Sequence, residues 1–244
     1  MIEAEDLRKT FGEVIAVDAV SLSAPDGQIT GILGPNGAGK TTTMRMISTL
    51  VRPDRGRVRV DGHDAATEPS AVRRRLGVLP DARGLYPRLT ARENVEYFGR
   101  LQGLDEATLR ARVDRLIERL ELAEVADRRV HGFSQGERAK VAIARALVHE
   151  PQNVLLDEPT NGLDVMSTRA MREVIRGLRD EGKAVVFCSH VMQEVSALCD
   201  TIIVVARGTV VAEGTPDALR AQAGTTSLED AFVSIIGTEE GLVA

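Results

Sequence analysis

Residues 34–42 read GPNGAGKTT, and this stretch decides the predicted fold. The apolar segment ITGIL (29–33) precedes it, and TTTMRMISTL (41–50), which has helical character, follows it. The stretch matches the pattern G-x-x-x-x-G-K-[ST] in full, between the predicted strand and the predicted helix. A glycine-rich loop that joins a buried strand to a helix is typical of an α/β protein.

The glycines of this loop let consecutive backbone N–H groups turn inward around a polyphosphate, and the helix N-terminus adds positive potential. Lys40 would reach the β and γ phosphates, and Thr41 would offer its hydroxyl to Mg²⁺. One alternative is a plain glycine-rich turn. The other, a dinucleotide site, is disfavoured because Thr42 stands where G-x-G-x-x-G needs its third glycine. The predicted phosphate-binding residues are Gly34, Pro35, Asn36, Gly37, Ala38, Gly39, Lys40, Thr41 and Thr42.

The segment NVLLDEP (153–159) ends an apolar strand in two adjacent acids. Open α/β sheets bind ligands at the carboxyl ends of their strands, and an acid there is costly unless it faces a metal or water. We predict that Asp157 serves a Mg²⁺ ion or its water network. We predict that Glu158 orients or deprotonates the attacking water. The alternative is a strand that simply emerges into solvent.

The segment FSQGERAKVAIARALV (133–148) allows two interpretations. Ser134 and Glu137 form S-x-x-E before an apolar-periodic helix, which is a capping box and explains both residues. A helix N-terminus with a free Ser hydroxyl and Gly136 beside it is also an anion site. Because the chain already has one phosphate cradle, a second suggests a nucleotide shared between two chains.

The order of the predicted elements indicates a mostly parallel sheet. From Ser134 onward the apolar strands NVLLD, AVVFCSH and TIIVVARG alternate with helices, and TVVAEG closes the last strand as a pair. Continuous apolar strands of this kind indicate a sheet that is covered on both faces. Thr215-Pro216 and Ser227 begin two further helices. Residues from about 90 to 130 are predicted to be helical throughout, as an insertion or subdomain.

Composition fits a soluble globular protein, with 43% hydrophobic and 27% charged residues among 244. The net charge of −5 argues against duplex binding, which needs a basic face. Arg73–Arg75 are predicted to form a solvated helix end. Cys188 and Cys199 form no CxxC and fit buried, reduced thiols of the cytosol. The N-terminus is not a secretory signal, and no apolar run approaches the ~20 residues of a membrane span.

The phosphate loop, FSQGERAK, LLDEPTNGLD and a strand ending in Ser189-His190, in this order, closely resemble the ATP-binding subunits of ABC transporters. The resemblance covers about residues 2–237 and implies a single ATP-binding domain, with a short C-terminal tail at 238–244. It implies a P-loop NTPase core with a mostly parallel sheet, an N-terminal antiparallel β part, and a helical subdomain at approximately 82–150.

The same resemblance assigns roles to further residues. Phe11 looks like the aromatic that stacks on adenine, and His190 like the switch histidine that contacts the γ phosphate. Asp164 belongs to the loop Asn161–Asp164, which crosses the dimer interface in this family. In these proteins two cassettes pack head to tail, and each signature motif closes over the phosphate loop of the other. The signature residues are Ser134, Gln135, Gly136 and Glu137.

This sequence departs from the family pattern at several positions. Gln135 and Glu137 replace Gly and Gln of the usual LSGGQ signature, and Lys140 replaces a common Arg. Ser134 and Gly136, the groups expected to touch the γ phosphate, are kept.

Asp81, in LGVLPDARGLYPRLT (76–90), aligns with a Gln that usually gives an oxygen to Mg²⁺. A surface turn is the alternative interpretation of Asp81. As a ligand it offers a harder oxygen than an amide, but it is one methylene shorter. We therefore expect that it reaches the metal through a water and raises the Mg²⁺ requirement of turnover.

Among ABC proteins the chain most resembles ATPases of the ABC-2 export type, especially those of sodium efflux and drug resistance. This implies ATP and Mg²⁺ as cofactors, ATP hydrolysis to ADP and phosphate, and a second cassette, as a homodimer. It also implies an ABC-2 membrane permease that docks a coupling helix near residues 81–99 and holds the chain at the cytoplasmic face of the cell membrane. No nucleic-acid partner is expected. The transported substrate (sodium, drug or lipid) stays open.

The rival interpretation is a P-loop ATPase without a transport role. A GTPase should carry an N-K-x-D guanine clamp, and the sequence has none. Soluble ABC proteins of translation usually carry two cassettes and a charged linker, and those of DNA repair carry coiled coils or zinc modules. The sequence shows one cassette and neither addition.

Overall fold

The structure is a computed structural model that describes residues 1–81 and 84–240, and within them the chain forms two β-sheets. Four strands form the smaller sheet in the order β2-β1-β4-β5, and six form the larger in the order β10-β9-β3-β8-β7-β6. In chain order the strands are β1 (Ile2–Phe11), β2 (Val14–Ala24), β3 (Ile29–Leu33), β4 (Arg55–Val60), β5 (His63–Asp64), β6 (Leu76–Leu79), β7 (Asn153–Asp157), β8 (Ala184–Cys188), β9 (Thr201–Ala206) and β10 (Thr209–Gly214).

Helices pack against the larger sheet, and many of them lie between its strands along the chain. In chain order they are α1 (Lys40–Ile47), α2 (Pro69–Arg75), α3 (Ala91–Leu101), α4 (Glu106–Arg119), α5 (Gln135–Leu147), α6 (Val165–Asp180), α7 (Met192–Leu198), α8 (Pro216–Gln222) and α9 (Leu228–Glu240). Thr215 caps α8, accepting the N–H of Ala218, and Ser227 accepts the N–H of Asp230 in the first turn of α9. Both predicted helix starts are confirmed.

Five adjacent strands of the larger sheet, β9, β3, β8, β7 and β6, are parallel, and β10 pairs antiparallel with β9. The predicted α/β fold with a mostly parallel sheet is therefore confirmed. Because these strands run in one direction, their carboxyl ends meet at one edge of the sheet. Four neighbouring strands, in the order β3-β8-β7-β6, end there directly before the phosphate loop, Ser189-His190, Glu158 and Pro80-Asp81, and Asp157 is the last residue of β7.

The two faces of this sheet pack into two different hydrophobic clusters. Along β7, Leu155 faces the cluster shared with the smaller sheet, whereas Val154 and Leu156 face the cluster shared with the helices. Strand β8 alternates in the same way. Every residue of β3, β7 and β8 is buried, which explains why these strands read as continuous apolar runs rather than as alternating ones.

The smaller sheet is antiparallel and contains the N-terminal residues, as the family resemblance implied. Strands β1 and β2 form a hairpin in which Phe11 pairs with Val14 across Gly12 and Glu13. Gly12 takes a φ of 59°, and a glycine at the first turn position is typical of tight hairpins.

The middle of the chain is helical in part. Helices α3 and α4 are present, but the expectation of helix from about 90 to 130 is wrong for residues 102–105, which link α3 to α4, and for residues 120–129, which form mostly turns. Glu121 takes a φ of 53°, and the N–H of Leu122 bonds the carbonyl of Ile117 at 2.9 Å. That pairing terminates a helix, because a left-handed residue turns the chain back over its last turn.

The structure also bears on the predictions for the arginine cluster, the two cysteines and a membrane span. Arg73–Arg75 form the last turn of α2, with Arg73 and Arg74 exposed, and both cysteines are buried and free. Within the described residues, no helix combines the length and apolar character that crossing a membrane requires.

The division into one domain at 2–237 and a tail stays a prediction. Helix α9 extends to Glu240, whereas residues 82–83, at the start of the predicted helical subdomain, and 241–244 lie outside the described residues.

Candidate functional site

The carboxyl edge of the larger sheet borders an open cavity of about 550 Å³. The cavity collects residues from five separate parts of the sequence, because β3, β6, β7 and β8 all end beside it and β2 begins beside it. Most of the predicted phosphate-binding, metal and catalytic residues line it. They are Asn36, Gly37, Ala38, Gly39, Lys40, Thr41, Thr42, Asp81, Asp157, Glu158 and His190.

The phosphate loop wraps around the buried Lys40 side chain. Its Nζ donates to the carbonyls of Gly34 at 2.7 Å and Pro35 at 3.0 Å, which places the ammonium group at the centre of the loop. Gly39, directly before α1, takes a φ of 102°, and a side chain there would also meet the carbonyl of Ala16. Glycine is therefore required where the loop turns into the helix, and Gly34 and Pro35 support Lys40 rather than line the cavity.

Asp157 is the most buried acid of this edge, with 7% of its surface exposed. Burial raises the pKa of its carboxyl, and the neighbouring charges of Glu158 and Asp81 act in the same direction. Contacts with Cys188 and Lys40 oppose that rise. Its Oδ1 atom has no hydrogen-bond partner among the described residues. A buried acceptor left without a donor is costly, and a cation or a bound water would satisfy it.

The side-chain oxygens of Thr41, Asp157 and Asp81 suit a magnesium ion that also binds phosphate oxygens. Within the described chain, no group of three or more His, Cys, Asp or Glu side chains could hold a metal ion. Mg²⁺ usually binds through one or two carboxylates plus phosphate oxygens and waters. The Thr41 hydroxyl, the orphaned Asp157 oxygen and the exposed Asp81 carboxylate line the same cavity and meet that requirement.

Glu158 and His190 form a contact across the ends of β7 and β8. The His190 Nδ1 atom lies 2.9 Å from a Glu158 carboxylate oxygen. The imidazole is 58% exposed and the Glu158 side chain 16%. Glu158 has a φ of 50°, its N–H donates to the carbonyl of Cys188, and its carbonyl accepts from Asn161. The pair is therefore presented at the cavity mouth by a fixed turn, and not by a strand that runs out into solvent.

The predicted signature residues lie at the start of α5, outside the phosphate cavity. Ser134 accepts the N–H of Glu137 at 3.2 Å, and Glu137 accepts the N–H of Ser134 at 2.7 Å. The capping box is therefore confirmed, whereas the anion-binding role stays a prediction. Gln135 lines a neighbouring cavity of about 480 Å³, which also contacts Asp81 and Asn161.

Asp164 caps α6 and lies on the exposed side of the loop after β7. It accepts the N–H of Ser167 at 2.8 Å and the Ser167 hydroxyl at 2.9 Å. A Cβ at Gly136 would lie 2.5 Å from that hydroxyl oxygen. The starts of α5 and α6 are thus in contact. Asp164 itself does not line either of these two cavities.

Phe11 lies near the cavity but not on its lining. Its ring is half exposed at the end of β1, with Lys9 Nζ 5.6 Å from the ring centroid. The other arm of the hairpin lines the cavity instead, through Val14, Ile15 and Ala16. Sequence reasoning missed these three residues. The glycine turn at Gly12 was the available signal, because it predicts a return strand opposite Phe11.

A family model described as "ABC transporter" matches residues 17–161 of this chain. The matched segment contains the phosphate loop, the start of α5, Asp157 and Glu158. It covers more than half of the chain.

Curated relatives extend the similarity to both ends. The chain is 45% identical to the ABC transporter ATP-binding protein NatA of Bacillus subtilis, over 96% of this chain and 97% of NatA. It is 42% identical to the daunorubicin resistance ATP-binding protein DrrA3 of Streptomyces coeruleorubidus, over 91% of this chain and 71% of the relative.

Solved structures share the fold. An ATP-binding subunit of an ABC transporter superposes with a TM-score of 0.89 at 29% identity, covering 97% of this chain and 99% of that one. A dimeric ATP-binding cassette in a post-hydrolysis state, bound to ADP and Pi, superposes with a TM-score of 0.80 at 28% identity. That match covers 88% of this chain and 98% of the other.

Proposed function

This chain belongs to the ABC transporter family, as an ATP-binding subunit with ATPase activity, and from this premise we propose that it powers export through a separate membrane permease. One observation carries the proposal: the ends of three neighbouring strands, β3, β8 and β7, bring the phosphate loop, Asp157, Glu158 and His190 to a single cavity. The similarity to NatA and DrrA3, which extends over more than nine-tenths of this chain, supports an exporter within the family.

In this proposal each part of the cavity has a separate task. The loop N–H groups and Lys40 bind the β and γ phosphates, while Thr41 and Asp157, with Asp81 through a water, would hold Mg²⁺. A bound Mg²⁺ neutralises the charge of the phosphate oxygens. A Glu158 carboxylate oxygen orients the attacking water and accepts its proton as the water oxygen bonds to the γ phosphorus. The bond from that phosphorus to the β–γ bridging oxygen breaks, and ADP leaves. His190 holds that carboxylate in place through the contact at its Nδ1 atom.

The working unit that we propose is a homodimer with two shared nucleotide sites. Ser134 is exposed at the start of α5 and does not line its own chain's phosphate cavity. A helix N-terminus attracts anions, so a second copy would bring it to the γ phosphate. The dimeric cassette among the structural relatives supports this arrangement.

An apolar groove supports a membrane permease as the partner. The groove has a volume of about 370 Å³ and is lined by Leu50, Val78, Pro80 and Phe98, among others. Leu50 is 69% exposed, and Tyr86 and Tyr97 beside Phe98 are exposed as well. Exposed apolar patches are typical of interaction sites. A coupling helix seated there would hold the chain at the cytoplasmic face of the membrane.

Sodium is the first cargo to test. We expect inside-out vesicles that contain the chain and its co-expressed membrane permease to take up radioactive sodium only with ATP and Mg²⁺. The Lys40→Ala variant, which removes the ammonium group of the phosphate loop, should abolish that uptake. ATP-dependent movement of a drug or a lipid without sodium would place the chain elsewhere among the exporters.

Asp81→Gln is expected to lower the Mg²⁺ concentration that gives half-maximal ATP turnover, by about threefold. Gln is one methylene longer, so its amide oxygen can reach Mg²⁺ directly where Asp81 acts through a water, and the change also removes a negative charge from the cavity. Turnover measured across a Mg²⁺ titration tests this. Asp127→Gln, which changes an exposed acid paired with Arg92, is the matched control. Identical curves for Asp81→Gln and the parent would make Asp81 a simple turn residue.

A further inference from the structure

Behind the exposed Glu158–His190 contact lies a second, buried contact between the same two segments. Thr160, two residues after Glu158, donates its hydroxyl to a carboxylate oxygen of Glu194, four residues after His190. We propose that Thr160 and Glu194 position the Glu158–His190 pair for hydrolysis. This proposal rests on the role of Glu158 in the proposed function.

The inner contact differs from the outer one in its burial. Thr160 is 6% exposed and Glu194 4%, whereas the His190 side chain is 58% exposed. A hydrogen bond to a charged group is stronger than one between neutral groups, and a low-dielectric environment strengthens it further. The buried bond therefore fixes the spacing of the two segments, which the solvated His190 side chain cannot do alone.

Arg172 joins the same buried group from α6. Its Nη2 atom lies 3.6 Å from Glu194, and its buried Nε has no hydrogen-bond partner among the described residues. One carboxylate thus connects the loop after β7 with α6 and α7. Buried charges contribute little net stability compared with apolar packing, which favours a role for this group in fixing geometry.

The backbone of the loop needs such a constraint. Glu158 has a left-handed φ of 50°, a conformation that non-glycine residues keep only when their surroundings enforce it. Backbone bonds hold both ends of the turn: Asn161 donates to Glu158 at 3.1 Å, and Leu163 donates to Thr160 at 3.1 Å. Thr160 lies within this turn and accepts one of the two bonds, so anchoring its side chain to Glu194 fixes the turn as a whole.

Thr160 and Glu194 do not line the phosphate cavity. A positioning role therefore predicts a loss in kcat with little change in KM, because nucleotide contacts stay intact. We expect Thr160→Val to lower kcat for ATP hydrolysis about tenfold, since small misplacements of a catalytic group cost about that much or more. Thr160→Ser keeps the hydroxyl, and we expect it to restore kcat to within about threefold of the parent.

Glu194→Gln provides an independent second variant, because it keeps the size and an acceptor oxygen but removes the charge. We expect a smaller loss in kcat, about threefold. The double variant with Thr160→Val should be no worse than Thr160→Val alone, because both changes act through one contact. Fully additive losses in the double variant would contradict a shared contact.

Asn153→Ala is the matched control for lost stability. It removes buried hydrogen bonds to Asp61 and Arg75 at the opposite end of β7, so it should lower the Tm but keep the parent kcat. Thr160→Val with the parent kcat, or a loss that Asn153→Ala reproduces, would overturn the proposal. Glu158→Gln is measured alongside: if it hydrolyses ATP at the parent rate, the base assignment and this proposal both fail. If Glu158→Gln is inactive and Thr160→Val is not impaired, only the positioning role fails.

Discussion

Glu158→Gln is expected to lower the rate of ATP hydrolysis by about 10²–10⁴-fold, the range that a general base contributes. The amide keeps the size of the side chain but accepts no proton from the attacking water. Lys40, Thr41 and Asp157 are unchanged, so nucleotide binding should persist. Phosphate release measures the rate, and binding of a labelled nucleotide measures the retained affinity.

The same variant should accumulate a dimer in the presence of ATP. If hydrolysis reopens the dimer, a protein that binds ATP without hydrolysing it stays closed, and gel filtration with ATP and Mg²⁺ should show the larger species. Glu173→Gln is the matched control, because it makes the same change at a surface acid paired with Arg176. A Glu158→Gln protein that runs only as a monomer with ATP, or that hydrolyses ATP at the parent rate, would contradict the assignment of Glu158 as the general base.

The sequence indicates which residues gather at this edge of the sheet, because several of them stand at, or shortly after, the end of a buried strand. ITGIL, NVLLD and AVVFC are buried on both faces, so each reads as an uninterrupted apolar run. Polar residues directly after such runs must lie at the edge of a parallel sheet. Lys40 and Asp157 could therefore be placed at one edge of the sheet from the residues alone, whereas His190 was assigned to the site by the family resemblance.

The rest of the site depends on contacts that no local pattern encodes. The bond between Thr160 and Glu194 joins residues 34 positions apart, and nothing in either neighbourhood indicates the other. Val14 and Ile15 are both exposed in a hairpin arm whose pairing with β1 shifts register several times, so only the folded sheet shows where they lie. The ending of α4 at Arg119 is a further case, because apolar spacing continues through the turns after it.

The start of α5 is where sequence and structure leave two interpretations, and Ser134→Arg separates them. We expect this variant to bind ATP like the parent but to lose ATP-driven dimerisation. The long cationic side chain would occupy the place of the γ phosphate of the second chain. Nucleotide binding should be unchanged, because Ser134 does not line its own chain's phosphate cavity. The measurement is gel filtration with ATP of the double variant that combines Ser134→Arg with Glu158→Gln, since the second change holds the dimer closed.

The control for this variant must remove a helix cap without touching the predicted dimer face. Thr90 and Glu93 form the same capping box at the start of α3, with both bonds present. Thr90→Arg should therefore cost about 1 kcal/mol of stability, as Ser134→Arg does through its lost cap, and yet leave ATP-driven dimerisation intact. If both variants dimerise, Ser134 serves only to cap its helix. If only Ser134→Arg fails, its hydroxyl lies at the interface, and the shared nucleotide site follows from the exposed position of that helix start.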